Sequence, residues 1–235
     1  MFNNIALITG ASSGIGRHLS VELSRNGFEV ILASRDLDKL DDTAALIDKD
    51  GGRSHIVSVD VSSEDSVKKL YEESLKIGFV GTVINNAGFG KFDKIQDIDV
   101  EDWDAQLSVN LRGSFLITKF FSQPMIGKKK GMFVYINSVA GKKAYPYSSA
   151  YVASKFGLLG FSRSMRSELR EHNIKVVSVH PGAVDTAFWN NVEGNFARNE
   201  MMDSKNVASS IAHAICVPGN MVVEELDIQR TEGDF

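Results

Sequence analysis

Short apolar runs alternate with helix-like stretches along the whole chain, and this alternation limits the possible folds more than any other feature. Each run lies between turn-forming residues, which is typical of strands buried on both faces. The runs are residues 5–8, 30–33, 56–59, 80–84, 132–136 and 176–179, with a last strand expected at 221–228. Alternating strands and helices form βαβ units with right-handed crossovers. We therefore predict an α/β fold with a doubly wound parallel sheet, in a single domain spanning residues 1–235.

The stretches between these runs have the spacing of amphipathic helices. One helix is expected from Gly16 to residue 26, and a second over residues 37–49. Ser62 and Asp65 resemble a capping box that opens a third helix, which runs through residue 77. A long helix is expected from about residue 100 towards Pro124, and another after residue 148 or 149.

Residues 183–206 depart from this alternation, because they are rich in Gly, Asn and Met and only weakly periodic. Long connections of this kind in compact domains often cover a substrate. We therefore predict a substrate lid over this segment.

The composition narrows the classes of partner. The chain has 235 residues, 43% of them hydrophobic, and its net charge of −4 argues against binding to nucleic acid or an anionic membrane. No apolar stretch could span a bilayer and no leader is evident, so a cytoplasmic protein is expected.

The histidines lack metal-ligand spacing, so no metal is expected. Cys216, the single cysteine, is interpreted as a small core residue, and residues 128–130 as a solvated lysine turn.

A glycine-rich turn, Thr-Gly-Ala-Ser-Ser-Gly-Ile-Gly at residues 9–16, joins the first strand to the first helix. Gly10 allows a tight turn, Gly14 lets the backbone approach a pyrophosphate, and Gly16 allows close packing of the helix. The helix N-terminus offers free N–H groups and a positive dipole end to phosphate. The turn therefore predicts dinucleotide binding, with contacts from Thr9, Gly10, Ser12, Ser13, Gly14, Ile15 and Gly16.

The end of the second strand predicts which dinucleotide is bound. An acid there would bond the 2′-hydroxyl of NAD, whereas a basic residue would accept the 2′-phosphate of NADP. Ser34 stands where the acid is expected, and Arg35 can bind a phosphate, with Arg17 as a candidate second contact. Asp36 precedes a helical pattern and is interpreted as an N-cap. We therefore expect NADP(H) to be preferred over NAD(H).

Two further strand ends are expected at the cofactor. Asp60 and Val61 follow the third strand, where an Asp side chain can accept from the amine of adenine. An Asn-Asn-Ala-Gly stretch at residues 85–88 closes the fourth strand, and its small residues let the backbone meet the cofactor ribose. The contacts predicted from this stretch are Asn86, Ala87 and Gly88.

Tyr151 and Lys155 lie four residues apart on a predicted helix, and Ser138 precedes the tyrosine by thirteen residues. Residues at i and i+4 share a helix face. A nearby lysine ammonium favours the phenolate, and we expect it to lower the tyrosine pKa by roughly 2–3 units. The Tyr151 proton would then be exchangeable near neutral pH, which predicts a general acid/base.

These motifs together resemble the short-chain dehydrogenase/reductase family over essentially the whole chain. They are residues 9–16, residues 85–88, Asn110, Ser138, Tyr151 with Lys155, and Pro181 with Gly182, in the order that the family has them. The resemblance implies a seven-stranded Rossmann sheet in a homodimer or homotetramer. It also implies an NADP(H)-dependent oxidoreductase that transfers a hydride reversibly between nicotinamide and a carbonyl or secondary alcohol.

The resemblance also implies a role for each residue. Tyr151 would be the acid/base, and Lys155 would lower its pKa and touch the nicotinamide ribose. Ser138 would bond the substrate oxygen, and Asn110 would hold a water that relays protons to Lys155. The residues that would border the nicotinamide are Pro181, Gly182, Val184 and Thr186.

The substrate pocket is expected to suit a largely apolar or planar small molecule. The candidate pocket residues are Phe89, Val139, Tyr145, Tyr147, Phe188 and Trp189. Lys142 and Lys143 are consistent with either an anionic substrate or a solvated loop. The C-terminal part resembles sepiapterin reductase-like members, in which an acid such as Asp234 could anchor a pterin. A 3-oxoacyl-acyl-carrier-protein reductase and a non-catalytic dinucleotide sensor are the alternatives.

Overall fold

The central sheet of the protein is parallel throughout. The structure is a computed structural model that describes residues 4–192 and 196–233. Its strands are β1 (Ile5–Thr9), β2 (Glu29–Ser34), β3 (Arg53–Ser58), β4 (Val80–Asn85), β5 (Gly131–Ile136), β6 (Ile174–Pro181), β7 (Val184–Asp185), β8 (Met202–Asp203) and β9 (Glu225–Ile228). Seven of them form one sheet in the order β3-β2-β1-β4-β5-β6-β9, and β7 pairs with β8. The predicted doubly wound α/β sheet is confirmed.

Helices cover both faces of this sheet. They are α1 (Gly14–Arg25), α2 (Leu37–Lys49), α3 (Glu64–Ile77), α4 (Val100–Leu107), α5 (Gly113–Lys128), α6 (Ser149–Leu169) and α7 (Ser204–Ile215). The apolar side chains of α1, α2 and α7 form one core with the sheet, and those of α3, α5 and α6 form the other. The strand order reverses between β1 and β4, and ligands of open α/β sheets bind at the carboxyl ends of such strands.

The long helix predicted from residue 100 towards Pro124 differs from the observed one in two ways. A π-helical turn at Ser108–Arg112 separates α4 from α5, and α5 continues past Pro124 to Lys128. Pro124 leaves one carbonyl without its helical partner. Phe121 and Met125, buried on either side of it, anchor this last turn to the core.

The cap of α3 lies one residue later than the sequence predicts. Ser63 is the N-cap, and its hydroxyl accepts a hydrogen bond from Ser66 N at 3.3 Å. Ser62 instead donates its hydroxyl to Asp60 Oδ1 at 2.6 Å, because the turn after β3 brings the two side chains together.

The C-terminal part contains two further corrections. Cys216 is exposed rather than a core residue, because α7 ends at Ile215 and the next residue leaves the apolar face. The last strand covers only Glu225–Ile228, where β9 pairs with β6, and not residues 221–224. Residues 128–130 are exposed at the end of α5, as expected for a lysine turn, and Lys129 adopts a left-handed conformation.

Membrane-spanning helices and metal clusters are the two features that bear on the classes of partner. None of the helices there is both long and apolar enough to cross a membrane. Within residues 4–192 and 196–233, no group of three or more His, Cys, Asp or Glu side chains is placed to hold a metal ion.

Candidate active site

The glycine turn after β1 is packed against the end of β4. Thr9 Oγ1 accepts hydrogen bonds from Asn86 N at 3.0 Å and Ala87 N at 3.1 Å. The Asn86 amide donates to the carbonyl oxygens of Thr9 and Gly10 at 2.9 and 3.1 Å. These bonds fix the two strand ends together at the switch point of the sheet.

Glycine is required at three positions of this turn for different reasons. Gly10 and Gly14 have φ values of +66° and +53°, which side chains disfavour. A Cβ on Gly16 would overlap the Gly10 carbonyl oxygen and the Asn86 amide. The chain therefore keeps its backbone N–H groups accessible at the start of α1, and this open cradle fits the pyrophosphate of a dinucleotide.

One cleft of about 1290 Å³ runs from this cradle across the carboxyl ends of the strands. Most of the residues predicted to contact the cofactor or substrate line it: Gly10, Ser12, Ser13, Gly14, Ile15, Ser34, Arg35, Asp60, Val61, Asn86, Ala87, Gly88, Ser138, Tyr151, Lys155, Pro181, Gly182, Val184 and Thr186. Thr9, Gly16 and Asn110 lie behind its wall and hold the lining in place.

The region after β2 has the composition expected for a phosphate-binding site. Arg35 is exposed at the cleft, whereas Asp36 caps α2 by accepting from Lys39 N at 3.1 Å. Lys39 Nζ lies 2.6 Å from the other Asp36 oxygen. The proposed N-cap interpretation of Asp36 is therefore supported by its contacts. Arg17 donates to Ser12 O at 2.7 Å and to Thr43 Oγ1 at 3.2 Å, so it braces the glycine turn from outside the cleft.

Lys155 and Tyr151 project from α6 into the cleft beside Ser138. Lys155 Nζ donates to Ile136 O at 3.0 Å and lies 5.7 Å from the centroid of the Tyr151 ring. Burial lowers the pKa of Lys155 to about 8. Burial raises the pKa of Tyr151 to about 12, and a hydrogen bond with Ser138 lowers it in part.

The expected depression of the Tyr151 pKa by Lys155 is therefore wrong for the protein on its own. Desolvation disfavours both charged forms, the phenolate as well as the ammonium, and for Tyr151 it outweighs the lowering by the Ser138 hydrogen bond. Tyr151 is a neutral phenol at physiological pH, which is the state that an acid needs in order to give up a proton.

Ser138 is held in place from two sides. Its hydroxyl accepts from Ala140 N at 3.1 Å, so it caps the short 3₁₀ turn Val139–Gly141. Its carbonyl oxygen lies 3.4 Å from Nδ1 of His180, which is fully buried in β6. The Ser138 backbone is thus anchored to the neighbouring strand.

Asn110 lies in the π-helical turn, and its amide connects the loop after β4 to α6. Its Nδ2 donates to Phe89 O at 2.9 Å and to Ser154 Oγ at 3.0 Å, while its Oδ1 accepts from Phe89 N at 3.0 Å. Ser154 precedes Lys155, so the amide of Asn110 connects the loop after β4 to the part of α6 that carries Lys155. Its predicted part in a water relay is not tested by these contacts and stays a prediction.

Aromatic rings surround Tyr151 in the cleft. The Phe92 and Phe188 ring centroids lie 5.6 and 5.5 Å from that of Tyr151, and Trp189 lies 5.4 Å from Phe188 and 4.6 Å from Phe196. The six pocket residues predicted from sequence all line the cleft. Sequence reasoning missed Phe92 and Phe196, although Phe92 follows the glycine-rich end of β4 and could have been included for that reason.

The contacts of Lys142 favour a solvated loop over a site for an anionic substrate. Its Nζ lies 2.8 Å from Asp227 and 3.1 Å from Glu225, whose carboxylates neutralise it. Lys143 Nζ lies 5.4 Å from the Tyr145 ring centroid. Asp234, the candidate pterin anchor, lies outside the described residues.

α7 begins at Ser204, inside the segment 183–206 that the sequence predicts as a substrate lid, and a lid role for the rest of that segment stays a prediction. Asp203 caps α7 by accepting from Lys205 N at 2.8 Å and from Asn206 N at 3.1 Å. The described parts between β7 and β8 contain two 3₁₀ turns, Ala187–Asn191 and Arg198–Glu200.

Comparisons with known proteins agree with this arrangement. A family model described as short chain dehydrogenase matches residues 4–195. A sepiapterin reductase from Chlorobaculum tepidum is 33% identical over 240 residues, covering 99% of this chain and 98% of that protein. An alcohol dehydrogenase from the archaeon Thermococcus sibiricus, complexed with 5-hydroxy-NADP, has a TM-score of 0.90 at 27% identity over 97% of both chains. A metagenomic short-chain oxidoreductase in complex with NADP has a TM-score of 0.85 at 29% identity over 97% of both chains.

Proposed function

Since the chain belongs to the short-chain dehydrogenase family, we propose that it transfers a hydride reversibly between NADP(H) and a carbonyl or secondary alcohol. The observation that carries this proposal is the single cleft shared by the open glycine cradle, Ser138, Tyr151 and Lys155. A dinucleotide in the cradle would bring its nicotinamide towards Pro181 and Thr186, beside Tyr151.

Reduction of a carbonyl needs a hydride on carbon and a proton on oxygen, and the bound nicotinamide supplies the hydride. Ser138 donates a hydrogen bond to the carbonyl oxygen and stabilises the charge that develops on it. Tyr151 transfers its phenolic proton to the same oxygen. The Lys155 ammonium stabilises the phenolate that this leaves, and a water held by Asn110 returns a proton through Lys155.

The preference for NADP(H) is supported by the surroundings of β2. Arg35 is exposed at the cleft, and Ser34 adds no negative charge there. The Asp36 carboxylate is engaged by the N–H and the ammonium of Lys39, so it does not repel a 2′-phosphate as a free acid would. The two structural neighbours solved with NADP-type ligands agree with this preference.

The substrate class that the pocket favours is a ketone with a planar or apolar substituent. Phe92, Phe188 and Trp189 offer ring faces and edges next to Tyr151. A pterin with a side-chain carbonyl is one such substrate, and the similarity to a sepiapterin reductase favours it. A 3-oxoacyl-acyl-carrier-protein substrate is less well supported, since Lys142 is neutralised by Asp227 and Glu225.

The test is consumption of NADPH with diketones, aldehydes, β-ketoacyl thioesters and pterins, compared with the Tyr151→Phe variant. Tyr151→Phe should abolish turnover while the affinity for NADPH stays within about twofold, because the phenol acts on the substrate. Tyr71→Phe is the matched control, since Tyr71 packs against Phe121 and does not line the cleft. NADPH binding without turnover on any substrate would instead support a non-catalytic dinucleotide sensor.

We further propose a homodimer or homotetramer. Phe115 on α5 and Phe156 on α6 are each 45% exposed, which leaves two large apolar side chains in water. Light scattering at micromolar protein should give a multiple of the 25.8 kDa chain mass, and a monomeric mass would exclude this assembly.

A further inference from the structure

One side chain, Arg198, ties together the described parts of the segment between β7 and β8. Its Nε donates to Asp185 Oδ1 at 2.6 Å, its Nη2 to Thr186 O at 2.9 Å, and its Nη1 to Asn190 Oδ1 at 3.0 Å. The three acceptors are a carboxylate, a backbone carbonyl and a side-chain amide. Arg198 therefore connects the second 3₁₀ turn to β7 and to both ends of the first.

The turn that Arg198 holds is the one that carries the aromatic cover. Thr186 Oγ1 accepts from Phe188 N at 3.3 Å, and Trp189 Nε1 donates to Val184 O at 3.0 Å. Phe188 lies against Tyr151, and Trp189 lies against Phe196, two residues before Arg198. A change in the position of Arg198 would therefore be transmitted to the rings beside Tyr151.

The base of the segment is closed independently of Arg198. β7 and β8 pair in parallel, and Met202 N donates to Ala183 O at 3.0 Å. The ends of the segment are thus held by backbone bonds, whereas Arg198 connects the two turns beyond them through its side chain. Loss of Arg198 should for this reason move the aromatic rings without unfolding the domain.

The chemistry of this contact requires arginine. The Arg198 and Asp185 side chains are 39% and 48% exposed, and an ion pair so exposed contributes little to stability. A planar guanidinium can address three acceptors in different directions, whereas a lysine ammonium acts as a point charge. The arrangement therefore suits orientation of the turn more than stabilisation of the fold.

We propose that Arg198 is a positioning residue that holds Phe188 and Trp189 beside Tyr151 and thereby selects ketones with a flat, apolar substituent. The proposal rests on the proposed function, because the selected group is the one that lies beside a carbonyl held by Ser138 and Tyr151. Arg198 itself does not line the cleft and touches none of the reacting atoms, so its effect is expected on KM rather than on kcat.

A fluorescence measurement tests the position of the ring without using activity. The chain has two tryptophans, so a Trp103→Phe background leaves Trp189 as the single indole emitter. In that background, Arg198→Gln and Asp185→Asn should each raise the acrylamide quenching constant of Trp189 at least twofold. Arg198→Lys should not restore it. Arg25→Gln is the control, because Arg25 is a partly exposed arginine on α1 whose guanidinium bonds two acids, Asp50 and Glu22.

Kinetics in the same variants test the selection. With NADPH, Arg198→Gln should raise KM about tenfold for 1-phenyl-1,2-propanedione, change kcat less than threefold, and leave KM for 2,3-butanedione within twofold. Unchanged quenching of Trp189 in both Arg198→Gln and Asp185→Asn would overturn the positioning role. An equal rise in KM for both ketones would overturn the selection.

The two proposals fail in distinguishable ways. If the unmodified enzyme reduces no carbonyl, the proposed function and the selection that rests on it are both overturned, and the quenching constants still decide the positioning role. If the enzyme is active but the quenching constant of Trp189 in the variants equals that of the parent, the positioning role alone fails.

Discussion

Replacing Lys155 with Met should make the folded protein more stable at neutral pH, although Lys155 belongs to the proposed mechanism. The side chain is 5% exposed, and burial lowers its pKa from the ordinary 10.5 to about 8. In the unfolded chain the ammonium is fully hydrated. Folding at pH 7 must therefore bury a charge that the carbonyl of Ile136 stabilises through a 3.0 Å hydrogen bond, with no ion pair to it among the described residues.

The size of this stability gain follows from the difference between the pKa of Lys155 in the unfolded chain and in the folded protein. A difference of about 2.5 pH units corresponds to about 3 kcal/mol at pH 7 and to about 1 kcal/mol at pH 9.5. Because the folded pKa lies below the unfolded one, the unfolded state binds more protons between pH 8 and 10.5, so the stability of the parent rises with pH through that window. Methionine keeps the apolar stem but loses one hydrogen bond, at a cost of about 1 kcal/mol. The expected net gain is about 2 kcal/mol at pH 7 and close to zero at pH 9.5.

The assay is urea unfolding followed by circular dichroism, without cofactor, at pH 7 and pH 9.5. Lys68→Met is the control, because Lys68 is exposed on α3 and should show no such change between the two pH values. A Lys155→Met variant that is no more stable than the parent at pH 7, or whose gain is the same at both pH values, would refute the reasoning.

Three further predictions concern the cofactor site and its supports. Arg35→Ala should raise KM for NADPH about 10- to 100-fold and leave KM for NADH unchanged, because a charge-assisted phosphate contact contributes about 1.5–3 kcal/mol. Steady-state kinetics with both cofactors measure this effect. Gly16→Ala should abolish NADPH binding in a fluorescence titration, because its Cβ would overlap the Gly10 carbonyl oxygen and the Asn86 amide. Asp36→Ala should lower Tm by about 2–4 °C in calorimetry, since loss of an N-cap costs about 1 kcal/mol.

The fold could be predicted because its signals are local and repeated. Each buried strand is a short apolar run, and each of α1 and α2 has regular apolar spacing and a stop or cap that the sequence displays. The boundaries that failed, at Ser63 and at the π-helical turn, depend on tertiary contacts. Ser62 bonds Asp60 only because the turn after β3 places them together.

The site could be predicted in its composition but not in its electrostatics. Tyr151, Lys155 and Ser138 were recognisable from spacing and resemblance. The pKa of Tyr151 could not be predicted in this way. The spacing to Lys155 indicates a charge partner, but it does not indicate the aromatic rings that surround Tyr151. Burial by residues distant in the chain, such as Phe92 and Phe188, determines the sign of that shift.

The π-helical turn at Ser108–Arg112 makes the number of residues between α4 and α5 critical. A π turn holds one extra residue, and an α-helix rotates by about 100° per residue. Deleting Val109 would permit a continuous α-helix with α4 and α5 in nearly the same relative orientation, but it would remove the wide turn that holds Asn110. Inserting a residue into one of the regular turns would instead rotate α5 against α4 by that angle, and buried Gln106, which accepts from Lys91 N at 3.0 Å, and buried Phe121 could not then both face inward. During evolution this helix should therefore reject single-residue insertions and deletions, while accepting point substitutions on its exposed side.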